Sequence, residues 1–386
     1  MSRILSSMLR SALMCGLLGI FFFLGGCQPF LTRPLESPIP VAKPLPVPVA
    51  SHEFSFDSAR EDVVGMLQVI TTNKEDTLSD IARRFNLGYE EIVSANPGVD
   101  PWLPGEGTEI VIPTQFVLPD APRKGIVINL AAMRLFYFPK TKDGEPQKVI
   151  THPLGIGRVG WRTPEGVTKI SSKVENPAWI PTPSIRKEHA ENGDLLPAIV
   201  PPGPDNPMGT HVLRLAWPKY AIHGTDKPPS IGLRGSHGCL RMYPEDIVRI
   251  YNEVPVGTPV CVVNQPRLLG WRSHELYLQA YPILEDDKRD NNKLFIKKLL
   301  NVTRSTPKAK LALRRQTKIN PALLKEVIQN PRAIAIPITQ PNITLQTYLD
   351  RTGRVQNILP LNATWDGDMS RQFTAAEVLE MADKEP

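Results

Sequence analysis

Residues 123–264 are expected to form a mainly β sandwich or barrel, preceded by a small βααβ module at 64–114 and followed by an α+β extension at 265–386. Three observations predict this. The runs GIVINL, MRLFYF, KVITHPLGIG, TKISSKV, THVLRL, YAIHG and TPVCVVN alternate or are rich in β-branched residues, with Gly and Pro between them, as a series of short strands requires. Upstream, LQVITTNKEDTLSDIARRFNLGYEEIVSANPGVDPWLPGEGTEIVIP starts and ends on strand patterns with two helical patterns between. Downstream, ELYLQAYPIL and RAIAIPIT read as strands, and LALRR and PALLKEVIQ as helices.

In the βααβ module, Thr77 and Asp80 make a capping box for a helix whose Leu78, Ile81, Ala82 and Phe85 share one face. Ile92 and Val93 mark the second helix, which stops near Asn96-Pro97. Within the β region the main interruption is the helical pattern YPEDIVRIYNEV, with Glu245 and Asp246 in its first turn. Residues 183–207 read as a long Pro- and Gly-containing loop, of the kind that flanks a functional site as a lid. Arg304, Lys308, Lys310, Arg314, Arg315 and Lys318 form a basic stretch, read as a solvated helix face, with anionic lipid or wall polymer as the partner it would otherwise suit.

Residues 1–26 carry Arg3 and Arg10 ahead of an apolar run too short for a comfortable membrane span, so they read as a secretory signal. Leu24-Gly25-Gly26-Cys27 then resembles the lipobox of bacterial lipoproteins, which implies lipidation of Cys27. Gln28 is not the Asp that retains such proteins at the inner membrane. The resemblance therefore implies a periplasmic protein, lipid-anchored at the outer membrane of a Gram-negative bacterium. Residues 27–63 read as a tether, with seven prolines between 28 and 50, which in polyproline II geometry would reach roughly 60 to 70 Å.

The formal net charge of +6 is modest, no zinc finger or recognition helix appears, and a secreted chain meets no nucleic acid, so nucleic-acid binding is excluded. Of the four cysteines, Cys15 leaves with the signal and Cys27 would carry lipid, which leaves Cys239 and Cys261. Cys261, in TPVCVVN, reads as an apolar core residue. Cys239 lies instead in a small-residue turn, two positions after His237 and sixteen after His223.

A cysteine becomes a nucleophile at neutral pH only with an imidazole, a cation or backbone N–H groups beside it. The loop between His223 and Cys239 is long enough to fold an imidazole back beside the sulfur, and His237 can face the same side. Gly238 lets the backbone approach closely and leaves amides for a developing oxyanion. These parts suit acyl transfer. A zinc site of His223, His237 and Cys239 lacks paired ligand spacings such as CxxC or HExxH, so neither metal nor cofactor is expected. His52, His152, His189, His211 and His274 read as structural or solvated.

His223-Gly224-Thr225 followed by Ser236-His237-Gly238-Cys239-Leu240-Arg241 resembles the signature of the L,D-transpeptidase (YkuD-type) family, in its ErfK/YbiS-like branch. Gly160-Trp161-x-Thr163-Pro164-x-Gly166, Asn176-Pro177-x-Trp179 and Asn206-Pro207-Met208-Gly209 resemble further segments of it. Asp76-Thr77-Leu78-x-x-Ile81-Ala82 and Gly107-x-x-Ile110-x-Ile112-Pro113 resemble a LysM module, which binds peptidoglycan glycan strands. The resemblance implies Cys239 as nucleophile, His223 as base with the Gly224 carbonyl orienting it, and an oxyanion hole from the amides of Gly238 and Cys239. It implies Ser236 and His237 as pocket residues, and Arg241 as a clamp for a substrate carboxylate.

The implied reaction attacks the diaminopimelate carbonyl of a tetrapeptide stem, releases D-alanine and passes the acyl group to an amine. That amine belongs to another stem, giving a 3-3 cross-link, or to a lysine of an outer-membrane lipoprotein. Carbapenems are expected to acylate the same sulfur. Two alternatives stay open: an L,D-carboxypeptidase or hydrolase using the same cysteine, and a non-catalytic wall-binding lipoprotein.

Overall fold

The computed structural model describes residues 50–142, 144–304 and 318–358. The signal, Cys27, most of the tether, the helix expected at LALRR and most of the basic stretch lie outside them. Among the described residues no helix is long and apolar enough to cross a membrane.

One mixed nine-stranded sheet carries the fold. From edge to edge it runs His52–Phe56, Gln147–Pro153, Arg134–Phe138, Gly125–Asn129, Pro259–Val263, Gly166–Glu175, His211–Leu215, Ala221–His223 and Leu240–Arg241. Two neighbouring pairs are parallel, Gly125–Asn129 with Pro259–Val263 and Ala221–His223 with Leu240–Arg241; the rest are antiparallel. The protein is thus mostly sheet, as its short-strand pattern predicts. His52–Phe56, expected within the tether, is an edge strand instead, with Phe54 opposite Val149.

Why GIVIN and RLFYF read as unbroken apolar runs is explained by burial on both faces, since every residue of these two strands is buried. On one face Ile126, Ile128, Leu135 and Tyr137 join Ile222, Leu240, Ile247 and Ile250 in a core closed by helix Pro244–Glu253. Val127, Phe136 and Phe138 on the other face pack with Ile70, Leu78, Ile81, Leu87, Ile92 and Ile110 of the βααβ module. That module is therefore the second cover of the sheet. Cys261 packs against this second cluster but is only half-buried, because Pro259–Val263 alternates and position 261 falls on its less covered side; the expectation of a core cysteine is corrected to that extent.

The module pairs Gln68–Thr71 with Glu109–Ile112 around helices α1 (Leu78–Arg84) and α2 (Tyr89–Ala95). The expected capping box is present: Asp80 N–H donates to Thr77 Oγ1 at 3.1 Å and Thr77 N–H to Asp80 Oδ2 at 3.3 Å. Its docking is polar as well as apolar. Buried Arg134 donates to both oxygens of Glu91, at 3.1 and 2.7 Å, and Asn86 Nδ2 donates to Asp246 at 2.7 and 2.8 Å. Tyr243 donates its hydroxyl to the Leu87 carbonyl at 3.0 Å.

A close backbone approach joins Gly88 to Gly232. Tyr89 N–H donates to the Ile231 carbonyl at 3.0 Å and Glu90 N–H to that of Gly232 at 3.3 Å. Gly232 has φ +83°, and a Cβ there would overlap Tyr89 N and Gly88 Cα. Gly232→Ala is expected to cost at least about 2 kcal/mol, backbone strain plus overpacking, as a drop in the denaturant midpoint. Gly257→Ala, at φ +88° with open space around it, is expected to show only the strain, about 1 kcal/mol.

The extension is α+β, as predicted. A hairpin of Arg267–Arg272 and Glu275–Ala280, with Ala335–Pro337 beside it, forms a three-stranded sheet. Its core takes in Leu67 and Ala95 of the βααβ module as well as helices Asn291–Arg304 and Pro321–Gln329.

Candidate active site

The turn that presents Cys239 lies between strands Arg234–Ser236 and Leu240–Arg241. Gly238 adopts φ +103° and a Cβ there would stand 3.0 Å from Tyr220 Cε1, so only glycine fits. Three bonds fix the turn: Ser236 Oγ donates to the Cys239 carbonyl at 2.5 Å, Gly238 N–H donates to Ser236 Oγ at 3.1 Å, and Thr163 Oγ1 donates to the Gly238 carbonyl at 2.8 Å. Cys239 is partly exposed and its Sγ lies 3.5 Å from the Lys219 carbonyl.

Two residues with expected roles are hydrogen-bonded inside this turn. Ser236 is buried, and its hydroxyl both donates and accepts inside the turn, holding the backbone around Cys239. The Gly238 amide is engaged by that hydroxyl.

His223 ends the strand Ala221–His223, whose parallel register matches Ile222 to Leu240 and His223 to Arg241. Ile222 and Leu240 both point into the core. Alternation then puts Ala221, His223 and Arg241 on the opposite face, where Cys239 precedes Leu240. With about 3.3 Å of rise per residue and about 4.8 Å between strands, the Cα atoms of His223 and Cys239 are on the order of 8 Å apart.

The imidazole is held in one tautomer. Nδ1 lies 2.7 Å from the Gly224 carbonyl, and a carbonyl only accepts, so the proton is on Nδ1 and Nε2 keeps its lone pair. The backing comes from the segment 206–209. Buried Asn206 donates to the Pro177 carbonyl at 2.8 Å and accepts from Met208 N–H at 2.9 Å. Gly209, at φ +63°, passes so close that a Cβ would stand 2.7 Å from Thr225 N.

Burial, and then the Arg241 guanidinium, pull the His223 pKa down to about 4, against the acceptor carbonyls of Gly224 and Met208. Burial pushes the Cys239 thiol up, opposed by the Ala221 backbone and by Arg241 and Arg214. Both shifts favour the uncharged form, of the imidazole and of the thiol. Such a pair suits proton removal as the sulfur attacks rather than a standing thiolate.

His237 is directed elsewhere. Its ring meets Trp161 edge-on at 4.8 Å between centroids. Nε2 lies 3.5 Å from Glu188 Oε2 and 3.3 Å from Arg158 Nη2, and Arg158 itself pairs with Glu188. Glu188 belongs to α3 (Pro183–Glu191), so the first part of the expected loop is a helix, started by Thr182 as N-cap and Pro183 at its first position. Arg241 exchanges backbone bonds with Gly155, both at 2.9 Å, and its charge acts on both His223 and Cys239.

Thr163, Met208, Tyr220, Lys219 and Glu188 also build the site. Thr163, Met208 and Glu188 fall in segments singled out from the sequence, without roles of their own; Tyr220 and Lys219 carry no local signal. Among the described residues no three His, Cys, Asp or Glu side chains gather to hold a metal ion.

Known proteins match this chain in sequence. The L,D-transpeptidase catalytic domain model matches residues 123–262, and the LysM domain model residues 70–113. The probable L,D-transpeptidase YcfS of Escherichia coli K12 is 41% identical over 227 residues, 58% of this chain and 70% of that one. The chain belongs to the L,D-transpeptidase family. Two further relatives of the same organism agree: the probable L,D-transpeptidase YbiS, 45% identical over 219 residues, 56% of this chain and 69% of its own length, and the probable L,D-transpeptidase ErfK/SrfK, 44% identical over 207 residues, 53% and 65%. The βααβ module is accordingly a LysM domain, and the sheet beneath it an L,D-transpeptidase catalytic domain.

Proposed function

We propose that this L,D-transpeptidase works in the periplasm as a cysteine acyltransferase on peptidoglycan, with Cys239 as nucleophile and His223 as its base. The observation that carries this is the His223 imidazole, held through Nδ1 by the Gly224 carbonyl on the Cys239 face of the adjoining strand. Nε2 takes the thiol proton as Sγ attacks the diaminopimelate carbonyl of a tetrapeptide stem. The oxyanion forms at the Cys239 amide, and Arg241 binds a substrate carboxylate. His223 then protonates the departing amine of D-alanine, leaving a thioester. An acceptor amine, from a second stem or a lipoprotein lysine, takes the acyl group and regenerates the thiol. The LysM domain holds the glycan strand, and a lipid on Cys27 would keep the enzyme at the outer membrane within reach of the wall.

Incubating the full chain with purified disaccharide-tetrapeptide tests this by mass. The expected products are free D-alanine, a thioester on Cys239 and either dimers or amine adducts. Absence of both D-alanine and the thioester would overturn the reading, and tripeptide with D-alanine but no dimer or adduct would identify a hydrolase.

A further inference from the structure

Helix Asn291–Arg304 packs one face on the C-terminal extension and leaves the other uncovered. Inward it sends Phe295, which is buried, with Leu299 and Val302 against the core of the extension, and Lys298, whose Nζ lies 3.5 Å from Asp120 Oδ2. The outward face is not the polar one that a surface helix ordinarily shows. Leu294 is 50%, Ile296 56% and Leu300 43% exposed. With about 3.6 residues per turn, Lys293, Ile296, Lys297 and Leu300 fall in one stripe, and Leu294 stands beside Lys297. Apolar side chains and cations therefore share that face.

Lys293 and Lys297 are exposed and, unlike Lys298, enter no ion pair among the described residues. Just before the helix, Asp286 and Asp287 are paired with Arg234 and Arg289, and Asp290 caps the first turn by accepting from Lys293 N–H at 2.9 Å. From residue 291 to residue 325 the sequence holds ten Lys and Arg and no Asp or Glu, although the whole chain carries a net charge of only +6. Single aliphatic side chains scattered over a surface are ordinary; three in a stripe laced with unpaired cations are not. A second copy of the chain fits such a face badly, because a two-fold contact would press these lysines against their own counterparts. An anionic polymer would satisfy the lysines and leave the aliphatic side chains in water. A bilayer with anionic headgroups satisfies both, since the boundary with the acyl chains takes the aliphatic groups while the ammonium groups stay among the phosphates.

We infer that helix Asn291–Arg304 docks on an anionic lipid bilayer, with Leu294, Ile296 and Leu300 entering the boundary between headgroups and acyl chains and Lys293 and Lys297 meeting lipid phosphates. The contact is separate from acyl transfer and does not depend on a lipid at Cys27. The C-terminal extension thereby acquires a role: it seats the enzyme on the membrane surface.

The test uses the full chain carrying Cys27→Ser, so that no acyl chain is attached, with Ile296→Cys as a reporter. A membrane-impermeant maleimide labels the reporter in the presence of vesicles of phosphatidylglycerol with phosphatidylcholine, or of phosphatidylcholine alone, and the mass of the fragment holding residue 296 gives the rate. Labelling is expected to be about tenfold slower on the anionic vesicles. Adding Lys293→Gln/Lys297→Gln, or salt to about 0.5 M, is expected to remove most of that slowing. Leu195→Cys, at a position 83% exposed elsewhere in the chain, is expected to label at one rate on both vesicles. The melting temperature, expected unchanged because the substituted side chains are exposed, shows that each variant is folded. Equal labelling of Ile296→Cys on the two vesicles would overturn the proposal. So would slowing that appears with isolated peptidoglycan and not with vesicles, or that grows with protein concentration in the absence of lipid, since the face would then belong to a polymer or to a second copy.

Discussion

Replacing His223 by Ala is expected to slow thioester formation about 10²- to 10⁴-fold, and replacing Cys239 by Ala to abolish it, with mass of the intact chain as readout. The first loss has a pH signature. Protonation of Nε2 removes the base, so the rate falls as pH drops through the folded-state pKa. Burial holds that value near 4 rather than 6.5, so acylation is expected to be flat from about pH 5 upward and to halve near pH 4. His223→Ala should lose this acidic limb, and its residual rate should climb with pH toward ionisation of the thiol, which burial raises. An acidic limb still present in the variant, or one centred near 6.5 in the parent, would mean that another group accepts the proton.

That imidazole is legible in the amino-acid sequence, and it is instructive why some of its neighbours are not. His223, Gly224, Gly238 and Cys239 stand out because reactive residues among glycines have few purely structural explanations. The capping box at Thr77 and Asp80 is legible because helix starts are written locally. Ser236 reads as a pocket residue in sequence because its true partners, Gly238 N–H and the Cys239 carbonyl, depend on the turn's folded geometry. The hairpin at residues 267–280 turns on Ser273 and His274, both at positive φ, where Asn-Gly would have announced it. His52–Phe56 becomes a strand only by pairing with residues almost a hundred positions away. Least legible of all is the docking of the LysM domain, whose polar contacts, Asn86 to Asp246 for one, join residues far apart in sequence. Periodicity reports which face is buried; it does not report against what.

That docking carries the second large effect. Arg134 is wholly buried, and it donates to Glu91, to Thr151 Oγ1 at 3.3 Å and to the Asn86 carbonyl at 3.1 Å, with its guanidinium 4.3 Å over the Phe116 ring. Arg134→Met strands the Glu91 carboxylate in a low-dielectric interior and is expected to cost about 3 to 5 kcal/mol of unfolding free energy. Arg134→Met/Glu91→Gln removes both charges and is expected to recover most of that loss, since a neutral amide keeps a hydrogen-bonding group without the stranded charge. The single variant also unseats α2, whose Gly88 lies against Gly232 in the chain leading to Cys239, so acylation should slow along with the fall in stability. Because one apolar cluster spans the LysM helices and the catalytic sheet, the parent is expected to unfold in one transition. A LysM domain that melts separately in the parent, leaving acylation by tetrapeptide intact, would show that the shared core and the buried ion pair do not couple the two.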